Sequence, residues 1–163
     1  MSLQKPHPLW TTSKANPFEI NKSIVVARLL SGRYRSDWLA RHWSKDNKLG
    51  YCTLCPGEDV PGTIEHMLAT CNGLSLKRAD LILYWKQQTE ENHHLQLLTQ
   101  TMLGAPVTDF VQFVLDPSVV PMVILDCQQE LYTINDVFAL TRTFCYGLHR
   151  RRQQLLGKFK ISL

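Results

Sequence analysis

The chain has 163 residues, 44% of them hydrophobic, and a net charge of only +4. That is enough apolar side chain for one buried core without covalent staples. No stretch reaches the ~18 uninterrupted apolar residues of a membrane span, the opening MSLQKPHPLW lacks the apolar region of a signal peptide, and an odd number of cysteines argues against a disulfide framework. The expectation is an intracellular protein, nuclear or cytoplasmic, with no membrane partner.

Residues 1–20 carry Pro6, Pro8 and Pro17 and read as an extended N-terminal arm, with Phe18 and Ile20 anchoring its end. Ser23 is a candidate cap for a helix over residues 24–30, and Gly32 is its natural stop. Ser36 is a second cap candidate, ahead of Asp37-Trp38-Leu39-Ala40-Arg41-His42-Trp43. Gly50 and Tyr51 lead into a loop in which Pro56-Gly57 and Pro61-Gly62 are turn dipeptides around Glu58 and Asp59. Thr63 can cap a short helix carrying His66.

Beyond the loop, a helix is predicted over residues 74–91, with Leu81, Ile82 and Trp85 on one side. A second, over 95–103, is broken by Gly104-Ala105-Pro106. Thr108 can cap a segment through Leu115, and Asp116-Pro117-Ser118 starts the next. The last helix, over about residues 135–160, is the best defined. Val137, Phe138, Phe144, Cys145 and Leu148 fall in one apolar stripe, with Arg142, Tyr146 and His149 roughly opposite. Arg152 falls inside the stripe. Since a buried unpaired charge is too costly, either the helix breaks there or Arg152 meets an acid of residues 107–136.

The most informative residues are Cys52, Cys55, His66 and Cys71, spaced Cys-x2-Cys-x10-His-x4-Cys. Two thiolates from one tight turn, then an imidazole and a third thiolate from the next element, suit one tetrahedral Zn2+. Three cysteines and one histidine fill the coordination sphere, which makes the metal structural rather than catalytic. Strand signals are weak everywhere, and only a small hairpin at this knuckle is expected. The fold class is therefore mainly α, a helical domain with an embedded CCHC zinc knuckle. Residues 21–91 hold basic helices plus the knuckle, and residues 92–163 form a C-terminal helical part packed with them as one unit.

Charge is unevenly spread. Residues 22–48 carry +5, residues 107–136 carry −5 with no lysine or arginine, and residues 141–163 carry +6. Tyr34, Trp38 and Trp43 are interleaved with Arg33, Arg35, Arg41, Lys45 and Lys48. Cations neutralise phosphates and aromatic faces stack on unpaired bases, so this block is a candidate nucleic-acid contact. The competing reading packs both tryptophans into the core and pairs Asp37 with Arg41 on a helix surface. Arg150 and Arg151 are further candidates for phosphate contact, with Lys158 and Lys160 solvated. The alternative is that the acidic stretch neutralises the last block within the fold. Cys127 and Cys145 read as small apolar core residues.

Arg28-Leu29-Leu30-Ser31-Gly32-Arg33-Tyr34, Trp38, His42-Trp43 and Gly50-Tyr51-Cys52 resemble the segment before the zinc knuckle of LINE-type (non-long-terminal-repeat) retrotransposon reverse transcriptases. Thr63-Ile64-Glu65-His66-Met67-Leu68 and Cys71 resemble the second half of that knuckle. Phe113 to Ser118 and Leu140 to Tyr146, then His149-Arg150, resemble the end of the same polyproteins. The resemblance spans roughly residues 24–160. It implies a domain that follows the polymerase and helps hold template RNA or target DNA during target-primed reverse transcription, with Cys52, Cys55, His66 and Cys71 as zinc ligands. The polymerase itself is missing, so the chain is either a fragment of such an element or a host protein derived from one.

Enzyme motifs are absent. A zinc deaminase needs His-x-Glu ahead of Pro-Cys-x2-Cys, and a zinc protease needs His-Glu-x2-His. Some relatives carry a nuclease after the knuckle, but residues 107–136 have no lysine to accompany their acids. The expectation is non-catalytic binding of RNA or DNA. The alternative is a domesticated protein–protein interaction module in which the zinc is purely structural.

Overall fold

The computed structural model describes residues 6–11, 17–40 and 50–157. Arg41, Lys45, Lys48, Lys158 and Lys160, with His42, Trp43 and the side chain of Trp38, lie outside the described residues. The architecture is helical, as the periodicity predicts. The elements are α1 (Pro8–Thr11), α2 (Pro17–Leu30), α3 (Asp37–Ala40), α4 (Ser75–Thr89), α5 (His93–Leu103), α6 (Val107–Leu115), α7 (Pro121–Gln128) and α8 (Ile134–Leu155). Among the described residues the extended pairing is a single antiparallel bridge, Tyr51 to Pro61, rather than a hairpin ladder. No helix among them is long and apolar enough to cross a membrane.

The C-terminal helix is the axis of the molecule, packed by α2, α4 and α6. It starts at a capping box: Thr133 Oγ1 accepts from the Asp136 N–H, and the Asp136 carboxylate accepts from the Thr133 N–H. Its apolar stripe meets an aromatic cluster. Trp85 of α4 stacks on Phe113 of α6 at 5.5 Å and tilts against Phe144 at 5.9 Å, and Phe110 meets Phe144 edge-on at 5.6 Å. Gly147 lets α4 approach closely, since a Cβ there would sit 2.8 Å from a Leu81 methyl. Cys145 is fully buried and Cys127 half-buried, in line with apolar roles.

The opposite face of α8 is also covered, which periodicity alone did not reveal. Arg142, placed by the pattern on the outward side, is only 2% exposed. It pairs with Glu19 of α2 at 3.2 Å and donates to Ser23 Oγ at 3.4 Å. Ser23 lies inside α2 instead of capping it, and its hydroxyl donates to Leu9 O. The helix begins at Pro17, whose fixed φ suits a first turn. Gly32, at φ +67°, closes it as expected. The N-terminal stretch therefore differs from an extended arm over residues 1–20. Residues 8–11 and 17–20 are helical, and Leu9 is buried in the core.

Smaller differences have local causes. Pro106, not Thr108, precedes the first residue of α6. Asn92 caps α5, accepting from the His94 and Leu95 N–H groups. The last helix stops at Leu155 because Gly157 turns left-handed at φ +64°.

Arg152 resolves differently from both alternatives the stripe offered. The helix runs through it, and its partner is Asp37, at 2.8 Å, rather than an acid of residues 107–136. Arg152 also donates to Arg35 O at 3.3 Å and lies over the Tyr34 ring. The pairs anchoring the last basic block thus run to Glu19 and Asp37, ahead of the acidic stretch.

Both members of the Arg152–Asp37 pair are largely buried, so deleting one strands the other. Arg152→Met and Asp37→Asn should each lower unfolding free energy by about 3 kcal/mol. The double variant should cost clearly less than the two losses added, as a double-mutant cycle in urea would read.

Candidate metal centre and the adjoining basic face

Cys52 and Cys55 sit on one tight reversal. The Cys55 N–H donates to Cys52 O at 3.2 Å, and the Glu58 N–H to Cys55 O at 3.2 Å. Gly57, at φ +84°, makes the return, and the Cys52 N–H closes the loop onto Val60 O at 2.8 Å. His66 and Cys71 come from the next element. Thr63 caps it as predicted, its hydroxyl accepting from the His66 N–H at 3.1 Å.

The segment His66–Thr70 is a π-turn: the Cys71 N–H donates to His66 O at 2.7 Å, five residues back. This wider turn is why a His-x4-Cys spacing works. One i→i+5 closure brings residues 66 and 71 to the same side of the chain. Met67 and Leu68 are buried, holding the π-turn against α6 and α8.

All four ligand atoms lie within 4.8 Å of one another, and all four residues are buried. Cys71 Sγ is 3.7 Å from both Cys52 Sγ and Cys55 Sγ, and Cys55 Sγ is 3.4 Å from His66 Nε2. Tetrahedral bonds of the usual lengths require about 3.7 Å between sulfurs and about 3.6 Å from sulfur to nitrogen. The sulfurs are too far apart for disulfides, and all five cysteines are free. The cluster therefore fits one metal ion. The adjoining space, bounded also by Asp37 and Arg152, holds about 10 Å3, roughly one water or less.

The surroundings prepare these ligands. His66 turns Nε2 inward, and its Nδ1 lies 3.0 Å from Thr70 Oγ1, a hydroxyl that can accept from Nδ1–H in the tautomer that leaves Nε2 for a metal. Burial, then the nearby Arg78 charge, lowers the imidazole's proton affinity. Burial and the neighbouring Cys52 push the Cys71 thiol up to about 12, and burial also raises Cys52. At Cys55, burial again pushes upward, but the N–H groups of Gly73 and Asn72 point at the sulfur and bring it down overall. Three ionised sulfurs this close repel strongly, and a divalent cation between them removes that penalty.

Arg78, on α4, was not flagged by sequence reading. Its guanidinium donates to Leu68 O at 3.0 Å, Met67 O at 3.2 Å and Cys71 O at 3.1 Å. It thus satisfies carbonyls at the end of the π-turn. Burial lowers the Arg78 proton affinity, and the sulfurs of Cys71 and Cys55 partly offset that; three thiolates around a divalent ion would leave one net negative charge beside it. Gly73 is the second missed residue. A Cβ there would lie 2.5 Å from Leu54 O and 2.6 Å from Leu54 Cβ, so only glycine lets the following turn reach the Cys52–Cys55 reversal. A side-chain bond from Asn72 to Glu58, at 2.9 Å, reinforces that closure.

Asp37 connects this centre to the helices. Its carboxylate accepts from the Thr53 N–H and hydroxyl at 3.2 and 3.3 Å while holding Arg152. Ser36 caps the start of α3, its hydroxyl accepting from the Leu39 N–H.

Of the candidate nucleic-acid residues, Arg33, Arg35, Arg150 and Arg151 are exposed, whereas Arg41, Lys45 and Lys48 lie outside the described residues. The packing of α2 on α8 brings the two basic blocks together around aromatic rings. Tyr34 OH and His149 Nδ1 are 2.8 Å apart, and Arg150 lies over the Tyr146 ring at 5.9 Å. Burial lowers the His149 proton affinity, and the charges of Arg152, Arg28 and Arg150 lower it further. Arg151 donates to Gln154. Arg28, Tyr146 and His149 were not named as site candidates; only the helix packing reveals their juxtaposition.

Arg78→Leu should lower stability by about 3 kcal/mol, since three charge-assisted bonds are lost, and should speed metal release to a chelator. Gly73→Ala should open the Cys52–Cys55 reversal, costing about 2 kcal/mol and weakening metal retention. Chelator competition and denaturant melts of both variants read these effects. No protein-family model, curated protein or solved structure matches this chain.

Proposed function

We propose that the chain is a non-catalytic nucleic-acid-binding domain whose fold is closed by one structural Zn2+. The observation that carries this reading is the convergence of both basic blocks on one face, around Tyr34, Tyr146 and His149. Tyr34 is buried and holds His149 in place, while the half-buried rings of Tyr146 and His149 beside Arg150 suit a flexible strand, with cations on phosphates and rings beside bases. Arg33, Arg35, Arg150 and Arg151 supply exposed charge, and the sequence offers Arg41, Lys45 and Lys48 as further phosphate contacts. The motifs around Cys52, His66 and Cys71 favour an origin in the region after a LINE-type reverse transcriptase, as a fragment or a domesticated derivative.

Zinc is the metal of choice because a closed, tetrahedral set of three thiolates and one imidazole is soft and redox-inert with it. Cys52, Cys55, His66 and Cys71 would hold the ion, and its role is to join the Cys52–Cys55 reversal to the turn that carries His66 and Cys71. The confined space beside the ligands supports a structural rather than catalytic centre.

Mass spectrometry of the purified protein under native conditions should find one zinc per chain. Cys52→Ser should lose it, with a stability loss of several kcal/mol because binding and folding are coupled. A metal-free protein that melts identically with and without Cys52 would sink the zinc assignment.

Binding to single-stranded RNA and DNA should weaken steeply with salt. Replacing Arg33, Arg35 and Arg150 by Gln should reduce the log–log slope by about 2, at ~0.7 per phosphate contact. Salt-insensitive or absent binding to single strands and duplexes alike would overturn the nucleic-acid reading. It would favour a protein-interaction module built on the same zinc-closed fold.

A further inference from the structure

We propose that a groove between the end of α2, α6 and the Pro117–Val119 turn docks a basic amphipathic helix of a partner protein. The groove consists of two hollows, of about 470 and 300 Å3, that share Gln112 and Val119. Its apolar floor is unusually open to water: Leu30 is 42% and Val119 45% exposed, and Leu115 is half-buried beside them. Apolar side chains lined along a groove between elements take the i, i+3/i+4 anchors of a helix.

The rim selects the sign of the occupant. Glu65 and Asp116 border the larger hollow and Asp109 the smaller, and no lysine or arginine among the described residues lines either. One charge sign beside low-dielectric walls focuses the field and draws in cations. Nucleic acid and anionic lipid are repelled by such a rim, and a neutral apolar ligand leaves it unused. A helix with lysine or arginine flanking its apolar face uses both parts, the apolar anchors for affinity and the charges for encounter and register.

The rim is also fixed in place. Asp116 accepts from the Ser118 N–H at 3.2 Å and meets His7 Nε2 at 3.1 Å, so His7 is the titratable group facing it. Glu65 precedes the ligand His66 and is held by the metal loop. This surface is distinct from the basic face and does not depend on nucleic-acid binding.

The test uses the full metal-loaded chain and two labelled peptides of about 16 residues, long enough to form a helix in contact. One alternates Leu with Lys in a helical pattern, and the other has Glu in place of Lys. Fluorescence anisotropy should show the Lys peptide binding at least about tenfold more tightly, with amide shifts confined to α6, the turn after it and the end of α2. Val119→Asp separates a groove from mere charge attraction. It adds an acid but removes the floor, so it should weaken the Lys peptide about tenfold, and Asp109→Lys should weaken it as well. Both positions are exposed, and unchanged metal content and far-UV dichroism will show that the variants fold. Undiminished binding by Val119→Asp, or shifts lying elsewhere, would overturn the proposal. So would self-association in sedimentation that Val119→Asp abolishes, which would make a second copy the occupant.

Discussion

One carboxylate, Asp37, joins the two halves of this molecule. It takes Arg152 from the far end of α8 and the Thr53 N–H and hydroxyl from the metal loop. Its Cβ lies where a side chain on residue 62 would go, so Gly62 is required for the second limb of the loop to pass. The loop between Cys52 and Cys71 buries Met67 and Leu68 in the core and packs Leu54, Val60, Ile64 and Ala69 partly against it. Polar connections add direction to that apolar packing and fail when one partner is lost. Asp37 fixes one side of the loop, and Arg78, bonding three carbonyls from α4, fixes the other.

These two residues also balance the electrostatics of burial. Arg152 enters the core with a carboxylate, so α8 can continue past it without exposing its apolar stripe. Arg78 lies by the thiol cluster, where a metal and three sulfurs would leave a negative excess. Arg142 and Glu19 repeat the arrangement between α8 and α2. The buried guanidiniums of Arg142 and Arg152 sit at junctions between elements 119 and 115 residues apart, and the half-buried Arg78 joins α4 to the turn just before it. Such pairs contribute modestly to net stability compared with apolar packing, but their geometry disfavours sliding of one helix along another.

The helical class, most helix bounds and the convergence of four residues that could hold a metal ion were legible because their signals are local. Caps, turn dipeptides and 3.6-residue periodicity act within a few residues, and the Cys/His spacing carries its own geometry. What escaped was set by partners distant in sequence. Periodicity shows one apolar face of α8 but cannot say that α2 covers the other, so Arg142 read as outward. Arg152 plainly needed an acid, yet the choice among acids depends on where the chain places Asp37, 115 residues away. Gly73 and Arg78 left no motif, because a close approach to Leu54 and a reach to three carbonyls exist only in the folded chain. The π-turn was hidden for a related reason: five-residue closure is rare in helices, and here the ligand geometry that rewards it comes from the preceding turn.

The uneven charge of the sequence acquires a spatial meaning from this packing. Acids that read as a neutralising stretch are partly engaged in helix starts, with Asp116 and Asp136 each accepting backbone N–H bonds. Meanwhile Asp109, Asp116 and Glu65 line an apolar groove, and the charges of Arg152, Arg28 and Arg150 gather around His149. Since Glu65 adjoins His66 while Asp37 holds Thr53 beside Cys52, the metal loop touches both surfaces. Opening that loop would disturb the groove through Glu65 and the basic face through Asp37 and Arg152 at once. A ligand on either surface that favours the closed loop would, by linkage, favour metal retention.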